Sequence, residues 1–121
     1  MNVETKRMGN DIAILYLSGS LRTDNLKTFK EAISEVTGEG FTSVLVDCRE
    51  LGFISSSGLA SLLWAKTRAK ARGGNVYFSH VSATVAEVLA ITKLSRILSI
   101  VPTTRGFLER KGLLRKNPSC V

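Results

Sequence analysis

Short apolar runs alternate with amphipathic stretches along nearly the whole chain, and glycine or proline stands at most of the changes. Asp11–Ser18 carries the unbroken run Ile12, Ala13, Ile14, Leu15, Tyr16 and Leu17. Ser43–Asp47 carries Val44, Leu45 and Val46, and Asn75–Ser79 carries Val76, Tyr77 and Phe78. Ile97–Val101 is a final β-branched run, which Pro102 breaks. Runs this short, apolar at consecutive positions, predict strands buried in a sheet. Val3–Met8 is a weaker candidate, and Gly9-Asn10 predicts a hairpin joining it to the next run, which Gly19 and Ser20 close.

The intervening stretches have helical spacing. Leu26, Phe29, Ile33 and Val36 recur at three, four and three residues, one face of a helix that Thr23 or Asp24 would cap and Gly38 and Gly40 would stop. A second helix is expected from about Ser57 to Arg72, with Leu59, Leu62, Leu63 and Ala69 as its stripe and Gly73-Gly74 as a left-handed cap. Ser82 can cap a third helix carrying Val85, Val88 and Leu89. Thr103 or Thr104 can begin a fourth, with Phe107 and Leu108 inward. The order β-β-α-β-α-β-α-β-α predicts an α/β fold, a mixed, mostly parallel central sheet of about five strands with about four helices. The 121 residues suit one domain, taken as residues 1–113, followed by a basic, flexible tail over 114–121.

Composition narrows the function classes. Hydrophobic residues are 44% and charged residues 22% of the chain, enough to build a core without staples. The early apolar run Ile12–Leu17 falls far short of the ~20 residues of a membrane-spanning helix. The N-terminus carries Glu4, Lys6, Arg7 and Asp11 and has no signal-peptide core, so a cytoplasmic protein without membrane contact is expected. Cys48, Cys120 and His80 do not form a disulfide framework or a zinc spacing. There is no P-loop, dinucleotide fingerprint or paired-carboxylate pattern, so no cofactor or metal is expected.

The net charge is +7 and unevenly spread. After Thr104, Arg105, Arg110, Lys111, Arg115 and Lys116 outweigh Glu109, a surplus of +4. Lys66, Arg68, Lys70 and Arg72 form another cluster. A basic nucleic-acid-binding module is one alternative. Zinc-finger spacing, an RNP-like aromatic strand and a helix-turn-helix are all missing, and a solvated helix face with a soluble tail explains the charge as well.

The most informative stretch runs from Val44 to Trp64. An apolar strand and a short loop, with Asp47 placed to cap or orient that loop, lead to Ser55-Ser56-Ser57-Gly58-Leu59 at the start of an amphipathic helix. Ser56 falls at or just before the helix start, where a hydroxyl can cap orphan N–H groups. The same place suits a phosphate, because the helix end offers free donors and the positive end of the dipole.

These residues resemble the STAS family, and within it the bacterial anti-sigma factor antagonists. The family's pattern of an aspartate, a serine, a serine or threonine, and Gly-Leu stands here as Ser55-Ser56-Ser57-Gly58-Leu59. Upstream, Leu17-Ser18-Gly19-Ser20-Leu21 and Val44-Leu45-Val46-Asp47 fit it. Downstream, Gly73-Gly74, Val81-Ser82-Ala83-Thr84-Val85, and Val88-Leu89 to Leu94 follow in order. The resemblance covers roughly residues 3 to 113.

The resemblance implies a regulator of sigma-factor-dependent transcription that switches partners and is not an enzyme. Unphosphorylated, such a protein holds an anti-sigma factor that is also a serine kinase of the histidine-kinase ATPase type. Phosphorylation of the serine after the family's aspartate weakens that complex, and a PP2C-type phosphatase resets it. The matching residue is Ser56, with Ser57 the second choice. Partner contacts are expected from Ser55, Ser56, Ser57, Gly58, Trp64 and Lys66. Trp64 could equally cover the first helix, and Lys66 could equally be solvated. The protein is expected to be a monomer.

One departure is clear: Ser55 replaces the family's aspartate, which removes a carboxylate beside the acceptor. Two other readings compete. A non-switching STAS scaffold in a sensory or lipid-transport assembly keeps the fold without the switch. A serine hydrolase would need a glycine where Ile54 stands and a base other than His80.

Overall fold

Gly9, at φ +62°, turns the chain between β1 (Asn2–Met8) and β2 (Ile12–Leu21), which pair antiparallel from Asn2 opposite Ser18 to Met8 opposite Ile12. This is the expected hairpin. The computed structural model describes residues 1–111; the expected tail over 114–121 and the expected domain end at 113 lie outside them. After a short 3-10 turn at Thr23–Asn25 come α1 (Leu26–Gly38), β3 (Ser43–Ile54), α2 (Ser56–Ala71), β4 (Asn75–Ser79), α3 (Ala83–Ile91), β5 (Ser99–Val101) and α4 (Thr104–Arg110). The five strands form one sheet in the order β1-β2-β3-β4-β5, antiparallel at the first pair and parallel at the rest. The expected fold class is the observed one.

The period-2 alternation of strands divides the apolar residues between two faces. Ala13, Leu15 and Leu17 join Val44, Val46, Val76 and Phe78 beneath α1, α2 and α3. Ile12, Ile14 and Leu45 face the other way and meet Val101 of β5 and Phe107 and Leu108 of α4. The helical spacing on α1 holds, since Phe29, Ile33 and Val36 are buried. Each such side chain contributes roughly 1.5–3 kcal/mol relative to leaving it in water.

Some boundaries differ from the sequence reading. Gly19, at φ +97°, does not close β2, which continues to Leu21. The predicted loop after Asp47 is strand, because β3 runs on to Ile54 and pairs through Ser18–Glu50, Gly19–Leu51, Ser20–Phe53 and Leu21–Ile54. Two register shifts in this segment, after Tyr16 and after Gly19, spoil the alternation that sequence reading relies on. The turn before α1 is held by Asn25, not by Thr23 or Asp24: its side chain accepts from the Arg22 N–H at 2.8 Å and donates to the Ser20 carbonyl at 2.7 Å. Leu63, placed in the α2 stripe, is exposed. Ile97 lies outside β5, because the chain first makes a 3-10 turn at Leu94–Arg96.

Candidate functional site

β2 and β3 end side by side, and α2 starts against that end. Leu21 closes β2, and its carbonyl accepts the Ser55 N–H at 2.9 Å. Gly58 is what lets the helix approach. A Cβ on it would lie 2.8 Å from that same carbonyl oxygen and 2.8 Å from Cγ1 of Ile54. Neither can yield cheaply, since one is backbone and the other is a buried core side chain.

The three serines are thereby given different surroundings. Ser55 is the N-cap in extended conformation, and its Oγ accepts the Gly58 N–H at 3.1 Å. Ser57 is half-buried; its Oγ lies 2.6 Å from Thr23 Oγ1 and 3.0 Å from Ser55 Oγ. Ser56 is the first helical residue and is exposed, and among the described residues its hydroxyl makes no hydrogen bond. Capping, read from sequence as the plain use of Ser56, falls to Ser55. The helix begins one residue earlier than expected because β3 extends to Ile54 and leaves only Ser55 as the junction. The first turn of α2 contains no acid, so its free N–H groups meet no opposing carboxylate there.

The sequence model of the STAS domain matches residues 2–106 of this chain. The chain belongs to the STAS family. No curated protein sequence matches it significantly. Among solved structures, the anti-sigma factor antagonist SpoIIAA in its unphosphorylated form superposes with a TM-score of 0.77 at 17% identity, covering 94% of this chain and 100% of that one. An anti-sigma factor antagonist from Mycobacterium paratuberculosis gives 0.78 at 16% identity, with 90% and 92% covered. The Bacillus cell fate determinant SpoIIAA in its phosphorylated form gives 0.71 at 19%, with 90% and 98% covered. At these identities the likeness is one of fold.

Within the STAS frame, Ser55 stands where the family resemblance expects an aspartate. A serine hydroxyl accepts the same capping bond as a carboxylate, so the helix start survives the change while a negative charge beside Ser56 is lost. Ser55, Ser56, Ser57 and Gly58 are contiguous at the sheet end. Trp64 and Lys66 are not beside them: Trp64 lies roughly 12 Å along the helix axis from Ser56 and about 200° around it from Lys66. Trp64 is half-buried against the core with Lys30 of α1 5.2 Å and Arg68 5.8 Å from its ring centroid. Lys66 donates to the Ile97 carbonyl on the opposite flank.

Asp47, expected at the end of its strand to cap or orient a loop before the serines, is buried within β3, which runs on past it to Ile54. It accepts the Thr104 hydroxyl at 2.7 Å and the Arg49 N–H at 3.0 Å. Ser79 Oγ lies 2.7 Å from Thr104 Oγ1. His80 Nε2 accepts from the Arg49 guanidinium at 2.7 Å and from the Thr104 N–H at 3.2 Å. The only histidine is therefore engaged in fastening α4, not aimed at a serine as a hydrolase would need. Sequence reading missed this network. Its one local signal was an aspartate ending an apolar run. Burial and the Asp47 charge push the Tyr16 hydroxyl above its usual range, and burial pushes the Cys48 thiol up to about 12. Cys48 is consequently an unreactive core residue at neutral pH. No helix among the described residues is long and apolar enough to cross a membrane.

Proposed function

We propose that this chain is a cytoplasmic anti-sigma factor antagonist that acts by partner switching, with Ser56 as its phosphoacceptor. One observation carries the choice of residue. Of the three adjacent serines, Ser56 alone presents an exposed hydroxyl free of hydrogen bonds to the described residues, while Ser55 caps the helix and Ser57 is tied to Thr23. The fold neighbour SpoIIAA, solved in unphosphorylated and phosphorylated forms, supports reading a modification into this fold.

Unphosphorylated, the surface around Ser55–Gly58 docks on an anti-sigma factor that is a serine kinase of the histidine-kinase ATPase type. That kinase transfers the γ-phosphoryl group of ATP to Ser56 Oγ and leaves ADP. The phosphoserine adds about −1.5 to −2 charges. The helix end can tolerate these in solvent, but a docked interface strips the hydration and confronts the dianion with any nearby acid. Moving a complex from 99% formed to 1% formed takes about 5.5 kcal/mol, within reach of one buried, poorly paired dianion. A PP2C-type phosphatase returns the chain to its binding form. Trp64 and Lys66 flank the docking surface without belonging to its centre.

Intact-mass and fragment mass spectrometry after incubation with the cognate kinase and ATP tests this. A single phosphate, lost in Ser56→Ala and kept in Ser57→Ala, is the expected result. No phosphate on any chain, with the kinase active on its own substrate, overturns the switch and leaves a constitutive scaffold.

A further inference from the structure

Two hydrogen bonds join the residues on either side of Arg22 to the residues on either side of Ser56. The Ser55 N–H donates to the Leu21 carbonyl at 2.9 Å, and Thr23 Oγ1 lies 2.6 Å from Ser57 Oγ. Leu21 is thus matched to Ser55 and Thr23 to Ser57. Arg22 and Ser56 occupy the position between these two bonds, and both are exposed. Among the described residues the Arg22 guanidinium has one loose charged partner: its Nε lies 3.8 Å from Asp24 Oδ1, too far for a hydrogen bond, and that carboxylate is 74% exposed. Ion pairs of this kind hold weakly in water.

We propose that Arg22 is the residue that receives the phosphate on Ser56. The proposal rests on the reading of Ser56 as acceptor and adds the group that recognises the modified state. A phosphoserine dianion carries about twice the charge of Asp24 and offers three acceptor oxygens. The guanidinium fork matches two of those oxygens with parallel N–H bonds. Arg22 accordingly leaves Asp24 for the phosphate, and the modified serine is held against the Arg22–Asn25 turn. A partner then meets two changes: a new anion on α2 and an Asp24 carboxylate released from its arginine.

The test uses the full chain with phosphoserine installed at position 56 during translation, so that no kinase is needed. Phosphorus NMR follows the second ionisation of the phosphate in the Arg22 chain, in Arg22→Lys and in Arg22→Gln. The expected pKa is lower by about half a unit in the Arg22 chain than in Arg22→Gln, with Arg22→Lys between them. The difference should shrink near ~1 M salt. Agreement of all three within about a tenth of a unit, in variants whose thermal melts match the parent, overturns the clamp. That result would leave the acceptor assignment untouched. Conversely, a kinase that ignores Ser56 would overturn the acceptor assignment without altering the titration.

Discussion

Thr104 Oγ1 donates to Asp47 Oδ2 at 2.7 Å, a bond that joins the first residue of α4 to the middle of β3 across 57 positions of sequence. Asp47 also holds the Arg49 N–H, and Arg49 in turn reaches His80. The carboxylate is buried, so its partners replace the water it has lost.

Removing one partner of this bond exposes the asymmetry between a satisfied and an orphaned polar group. Thr104→Val is expected to cost about 1–3 kcal/mol in urea unfolding, because Asp47 loses a donor it cannot replace with water. Amide exchange should rise in α4 and leave α1 and α2 near their parent rates.

The serines should separate cleanly by stability. Ser55→Ala removes the cap and is expected to cost about 0.5–2 kcal/mol. Ser56→Ala, at an exposed site, should stay within about 0.5 kcal/mol of the parent. Equal losses in both, measured as shifts of the urea midpoint at constant slope, would show that the cap is shared.

Gly58→Ala should be far more harmful than a usual glycine-to-alanine change in a helix, which helix propensity alone would favour. The added carbon meets the Leu21 carbonyl and Ile54 at 2.8 Å. The expected loss is about 1–3 kcal/mol of overpacking strain, with the helix start displaced from β2.

Alkaline pH should weaken the fold through Cys48. Its folded pKa is raised from 9.0 to about 12 by burial and by Asp47. The folded state therefore holds this proton more tightly than the unfolded chain. The resulting stability is complete below about pH 9 and is lost as pH rises toward 12. A Cys48→Ala chain should show a shallower alkaline decline over that window than the parent, whatever its starting stability.

Much of the architecture was legible because it is written locally. Phe29, Ile33 and Val36 mark one face of α1 by spacing alone, and the apolar runs around Leu15, Val46 and Phe78 name the strands that end up in the sheet. What escaped depends on contacts between distant residues. Gly19 has the look of a strand end, and only its pairing with Leu51 keeps it inside β2. That same pairing carries β3 to Ile54, which decides that Ser55 caps α2 and that Ser56 is left facing solvent. The triplet of serines was visible in the sequence, but their division of labour was not, since it is imposed by Leu21 and Thr23 from another strand and turn.

The uneven cover of the sheet has a further consequence. Among the described residues, three helices press on one face, while the short α4 is the one helix over Ile12, Ile14 and Leu45 on the other. The Arg22–Asn25 turn and the start of α2 are fastened to each other without any contribution from α4. Lifting α4 would uncover an oily strip on the far side while the surface that carries Ser56 kept its shape. The wall that carries Ser56 and the wall that α4 covers are thus held by separate sets of contacts.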